Sequence, residues 1–151
     1  SSIEVMDLKG NIKEIKKEKI NFYYRGCDLP NDLLILSANF KGNLSNKSDI
    51  EKKQIDLINR KKKSQPTQVK TCGSTFKNSK NKKAWELIKN SGCDKIKVGQ
   101  AQISEKHCNF FINNGKTNSN EIEELINKVK KEVFDSTGVN LELEIKIIGS
   151  N

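Results

Sequence analysis

A chain of 151 residues, 34% of them hydrophobic and 31% charged, can bury one ordinary core, and its regularly recurring Ile, Leu, Val and Phe exclude the signature of a disordered segment. No apolar run reaches the roughly 18 residues of a membrane span, and SSIEVMDLKG at the start lacks the basic-then-apolar order of a secretion signal, so a cytoplasmic protein is expected. The net charge of +9 admits a polyanionic partner and a small basic nucleic-acid-binding protein as one reading, but nearly all of it is lysine spread end to end, with Arg25 and Arg60 the only arginines, which reads as compositional drift.

Cys27, Cys72, Cys93 and Cys108 stand at wide, irregular spacings beside a single histidine. That pattern predicts free thiols and no metal site. Ile3, Val5 and Leu8, then Lys9-Gly10-Asn11, then Ile12 to Ile15 predict a hairpin. The basic and then aromatic KKEKINFYYRG predicts a short helix or turn that delivers Arg25, and Leu33 to Phe40 predicts a buried strand. Ser48 with Glu51 three residues on predicts a capping box, opening a helix that carries Ile50, Ile55, Leu57 and Ile58 and ends in RKKK before Pro66. A boundary is expected near residues 61–67.

Beyond it come a loop around Gly73, a helix over 82–91 stopped by Gly92, and short strands over 95–98 and 108–113. A long amphipathic helix starts at Ser119 or Asn120, carries Ile122, Leu125, Ile126, Val129, Val133 and Phe134 as core, and ends at Gly138. In LELEIKII, the alternation of Leu141, Leu143, Ile145 and Ile147 with Glu142, Glu144 and Lys146 predicts a final strand. The fold class is therefore α+β.

TCGSTFKN at 71–78, VGQAQISEKHCNFFINNG at 98–115 and LELEIKIIG at 141–149, supported by YRG at 24–26, resemble in order and interval segments of the UDP-N-acetylenolpyruvoylglucosamine reductase family (UDP-N-acetylmuramate dehydrogenases). The resemblance spans residues 24–149. Only 49 residues separate Arg25 from Ser74, so it is to the shorter branch of the family, without the extra tyrosine-bearing loop. Ser79, Gln100 and Leu143 stand where the family has proline, glycine and proline, which bears on local rigidity more than on chemistry. The family's glycine-rich flavin loop is not found before residue 24, which implies that the chain begins partway through the enzyme and would be inactive alone. The implied layout is a partial second lobe of the FAD-binding domain at 1–61, a substrate-binding domain at 62–138, and a strand at 139–151 returning toward the flavin.

The resemblance implies an NADPH- and FAD-dependent reduction of UDP-N-acetylglucosamine enolpyruvate in peptidoglycan synthesis, by a monomeric intact enzyme with neither nucleic acid nor membrane as partner. Ser74 would be the proton donor, and Arg25 and Glu144 would act on the substrate's carboxylate and enol, the arginine through a bidentate fork. Glu144 would have to be protonated there, which burial would favour. Asn78 and His107, with Lys77 and Lys106 beside them, would meet the diphosphate. The residues that hold the cofactor are not legible. Read without the resemblance, Ser74 is a turn residue, Arg25 and Glu144 are solvated surface charges, and His107 is a core histidine.

Overall fold

Asp7 closes the expected hairpin. In the computed structural model, which describes residues 1–79 and 81–149, the Asp7 carboxylate accepts from the backbone N–H of Lys9 (2.8 Å) and of Asn11 (2.9 Å) and from the Asn11 side chain. Gly10 supplies the left-handed turn residue at φ +86°. The turn joins β1 (Ser2–Met6) to β2 (Ile12–Lys16), and β5 (Leu34–Asn39) pairs antiparallel along the other edge of β1. Val5, on this central strand, is fully buried.

The run from Leu33 to Phe40 does form a strand, yet every residue of β5 is exposed. A lone three-stranded sheet covers its apolar side chains only where something packs on its face. Among the described residues of this compact unit, Ser1–Ile50, Val5 and Ile20 are the buried apolar side chains. Between these strands the aromatic stretch folds as a small hairpin, β3 (Phe22–Tyr23) with β4 (Gly26–Cys27), after a 3-10 turn at Lys17–Lys19. Tyr24 and Arg25 form its two-residue tip. A Cβ at Gly26 would meet the Tyr23 ring where it now lies, so the ring packs over the bare glycine backbone.

Helix α1 (Lys47–Ser64) starts one residue before the expected cap, which puts Ser48 inside the first turn. Its last turn carries Lys61, Lys62 and Lys63 as expected, and none of its residues is buried.

The second compact unit, Glu51–Asn151, holds the main core. Its antiparallel sheet has the order β6-β9-β8-β7, from β6 (Lys70–Ser74), β7 (Lys97–Val98), β8 (Ala101–Ser104) and β9 (His107–Asn113). Helix α2 (Ala84–Asn90) packs on β9, and α3 (Ser119–Thr137) packs on β7 and β8. The stripe of α3 behaves as its spacing predicts, with Leu125, Ile126, Val129 and Val133 buried. Asn118 and Glu121 form a reciprocal capping box at its start, and Gly138 at φ +68° ends it. Phe134 is nearly half exposed, because it falls about 120° round the helix from Ile122.

Three parts of this unit depart from the sequence reading. The loop expected around Gly73 is strand β6, whose ladder with β9 slips between Thr71 and Ser74, where Gly73 takes φ +85°. Strand β8 went unread because its four residues are too few to show a period. The final strand is absent as a ladder: among the described residues of 139–149, Leu143 makes one antiparallel bridge to Phe76. Leu141 is buried and Ile145 partly so, but Ile147 and Ile148 are exposed. Its neighbour is the short irregular stretch that follows the β6 bulge, which offers too little edge for a longer pairing. Residues 150 and 151 of that expected strand lie outside the described residues.

Candidate functional site

Ser74 ends β6 directly after the bulge, partly buried, and stands opposite Phe110 of β9 in the ladder. The three residues that follow are held from both sides. On one side Asn109 of β9 pairs with Phe76 as a peptide group would: its Oδ1 accepts from Phe76 N–H (2.9 Å) and its Nδ2 donates to Phe76 C=O (2.8 Å). The Asn109 carbonyl also accepts from Thr75 N–H at 2.8 Å. On the other side Lys77 N–H donates to Glu142 C=O (2.8 Å), and Glu144 N–H donates to Thr75 C=O (2.9 Å). The partly buried Glu144 is thereby fixed opposite the residue next to Ser74.

Lys77 forms an ion pair with Glu142 across the same bridge (3.5 Å), a half-exposed contact of small energetic weight. Asn78 lends its Oδ1 to Ala84 N–H at the start of α2 (3.0 Å). Any contact of Asn78 with an anion must therefore use its Nδ2 donor end. The His107 ring lies edge-on to Phe110 (4.8 Å between centroids) and to Trp85 (6.4 Å). Since Ser74 faces Phe110 in the ladder, Phe110 is the common neighbour of Ser74 and His107. Lys106 donates from Nζ to the carbonyl of Lys62.

His107 Nδ1 accepts from Asn109 N–H (3.3 Å), which places the imidazole proton on Nε2. Burial among these rings depresses its pKa below the ordinary value, outweighing a backbone hydrogen bond that acts the other way. As pH falls below about 6.5, the unfolded imidazole binds its proton before the folded one does. Stability is therefore intact above that value and is lost as pH falls toward the lower native pKa. Thermal melts should show a falling midpoint between about pH 7 and 5.5 that His107→Gln abolishes. An unchanged slope in the variant would contradict the assignment, since this is the only histidine in the chain.

A family model described as "UDP-N-acetylenolpyruvoylglucosamine reductase, C-terminal domain" matches residues 65–148. The chain belongs to this family. The UDP-N-acetylenolpyruvoylglucosamine reductase of Pelagibacter ubique (strain HTCC1062) is 46% identical over 150 residues, covering 97% of this chain and 50% of its own length. That of Rickettsia bellii (strain RML369-C) is 44% identical over 147 residues, with 97% and 49% covered. The chain thus spans about half the length of the curated relatives it matches. The crystal structure of the Thermus caldophilus reductase matches with a TM-score of 0.83 at 29% identity, over 96% of this chain and 51% of that one. Family, relatives and structure give the nucleic-acid reading of the charge no support.

Within the second unit, Ser74, Lys77 and Asn78 lie along the end of β6 and the stretch after it, Glu144 is tied to that stretch through Thr75, and His107 stands on the neighbouring strand β9. Arg25 belongs to the first unit, at its hairpin tip, with φ +62° and its guanidinium over the Tyr24 ring at 5.5 Å. A left-handed arginine is uncommon, and the tight turn between Tyr23 and Gly26 is what imposes it. The residue that sequence reading missed is Asn109. Its signal was a polar side chain inside the apolar run CNFFI, where burial without partners would be costly. No group of three or more His, Cys, Asp or Glu among the described residues is placed to hold a metal, and no described helix is long and apolar enough to cross a membrane.

Proposed function

We propose that this chain provides the proton-donating and substrate-holding part of an NADPH- and FAD-dependent reductase that converts UDP-N-acetylglucosamine enolpyruvate to UDP-N-acetylmuramate in cytoplasmic peptidoglycan synthesis. The observation that supports the reading is the two-sided clamp on residues 75–77, which ties the backbone next to Ser74 to that of Glu144 on one side and to Asn109 of β9 on the other. The family match supplies the reaction. In this layout residues 1–61 serve the flavin side, 62–138 hold the substrate, and the closing segment carries Glu144.

Two features suit a flavin beside Ser74. Gly73 has nothing within 4 Å of where a Cβ would stand, so a flat ring can approach its backbone. Beside it runs a groove of about 420 Å³ whose lining includes Thr71, Cys72, Thr75, Phe111, Ile122 and Ile145. When bound, the flavin supplies the reducing equivalent, drawn from NADPH, that adds at C3 of the enolpyruvyl double bond.

The chain's own residues then handle charge and proton. Ser74 donates its hydroxyl proton to C2, where negative charge accumulates, and a serine hydroxyl is so weak an acid that its surroundings must stabilise the alkoxide as it forms. Arg25, through its guanidinium fork, counters charge building on the conjugated carboxylate, and Glu144 acts on the enol. Neutral His107, with Nε2–H as donor, and the Nδ2 end of Asn78 hydrogen-bond diphosphate oxygens, while Lys77 and Lys106 add positive charge.

Titrating UDP-N-acetylglucosamine into the 15N-labelled chain tests the substrate half of this reading. Amide shifts centred on Asn78 and His107 are expected, at an affinity weakened because one set of residues acts alone. Shifts confined to other regions, or none at millimolar nucleotide sugar, would overturn it.

A further inference from the structure

We infer that Asn109 is a positioning residue of the site, its side chain standing in for a strand partner beyond the end of β6 and fixing the backbone that follows Ser74. The ladder between β6 and β9 slips between Thr71 and Ser74, resumes at Ser74 opposite Phe110, and ends there with β6. Beyond that end, the Asn109 amide takes over. It engages both polar groups of Phe76, while the Asn109 carbonyl takes Thr75 N–H and its N–H meets His107 Nδ1.

Asn109 is 4% exposed, and Phe76 is 1% exposed. Water cannot replace these bonds, so losing the amide leaves a buried donor and a buried acceptor without partners. Asparagine suits the position because only a primary amide offers a donor and an acceptor in the geometry of a peptide group. The Asn109 side chain therefore holds the backbone that follows Ser74, while the backbone N–H of the same residue meets the imidazole. This rests on the functional reading above for its catalytic meaning, but the positioning itself can be measured in the chain as it is.

The experiment compares the wild-type chain with Asn109→Ala and with Asn109→Asp, which keeps the shape and the acceptor but replaces the donor. Amide hydrogen exchange is followed at Thr75 and Phe76, with Val129 of α3 as reference, alongside the 15N shifts of the His107 ring. The wild type should show protected Thr75 and Phe76 amides and one tautomer protonated at Nε2. In Asn109→Ala, exchange at Phe76 should accelerate roughly tenfold or more relative to Val129, while the imidazole keeps its tautomer, because its partner is the backbone N–H of residue 109. Asn109→Asp should retain part of the Phe76 protection, since its carboxylate still accepts from that N–H, and it serves as the folded comparison if the alanine variant does not fold.

Acceleration at Val129 equal to that at Phe76 would mean a merely structural residue and would overturn the inference, as would unaltered exchange at Phe76 in Asn109→Ala. A wild type with the protected amides, an alanine variant that loses the protection at Phe76, and no response of either to UDP-N-acetylglucosamine would support the clamp while overturning the functional reading. The two failures are therefore distinguishable.

Discussion

Replacing Ser74 with alanine is expected to leave reduction of the flavin by NADPH intact and nearly to stop its reoxidation by the enolpyruvyl substrate. The protein for this measurement is a flavin-loaded chimera in which this chain stands in for the matching half of the Pelagibacter ubique relative, 46% identical to it. NADPH delivers its electrons before any proton is needed at C2, so the first half-reaction makes no demand on the serine. The second does. General acid catalysis contributes roughly a hundred- to ten-thousand-fold, and alanine at position 74 leaves no group to replace the hydroxyl. Arg25→Lys and Glu144→Gln should slow the same half-reaction, because both side chains act on charge that develops only as the double bond is reduced. Stopped-flow absorbance separates the two steps. Equal slowing of both half-reactions by Ser74→Ala, or of neither, would remove the proton-donor role.

What the sequence made legible followed from local rules that tertiary context did not oppose. The Asp7 hairpin and α3 are both of this kind, since a turn residue with its own side-chain bonds and a five-residue apolar stripe need no distant partner to be recognised. The candidate residues at 74, 77, 78, 107 and 144 were found through the resemblance to the reductase family. Their assembly was not. It depends on a register slip at Gly73, on an asparagine acting as a strand, and on a closing segment whose alternation promised a ladder and delivered one bridge. Period-2 patterning reports that alternate side chains differ in environment, and Leu141 and Leu143 do pack inward, but it does not report whether a partner edge is long enough to pair with. The strand at Leu34–Asn39 shows the converse, an apolar run that forms a strand and stays exposed. Hydrophobic composition specifies a wish to be covered and not the cover.

The residue on which the assembly turns is Phe76, and Phe76→Ala should have the largest effect of any single change on the stability of the second unit. Its ring is 1% exposed and meets Phe111 edge-on at 5.9 Å, while its backbone is gripped by Asn109 and bridged to Leu143. Truncating a buried phenylalanine costs about 3–5 kcal/mol, because the lost transfer energy is compounded by a cavity that the surroundings fill only in part. Against a typical domain stability of about 5–15 kcal/mol, that is roughly a fifth or more, and a thermal midpoint lower by roughly 12 °C or more is expected. Trp85, the only tryptophan in the chain, sits in α2 of this unit and reports its unfolding by fluorescence. Phe40, 91% exposed, provides the comparison, since Phe40→Ala should change stability by no more than about 0.5 kcal/mol. The cavity would also loosen the partner of Leu143, and with it the backbone that sets Glu144 beside Ser74. A Phe76→Ala protein that melts within about 1 kcal/mol of the wild type would show that the segment is held without its ring, and that the backbone bonds from Asn109, Glu142 and Glu144 are sufficient by themselves.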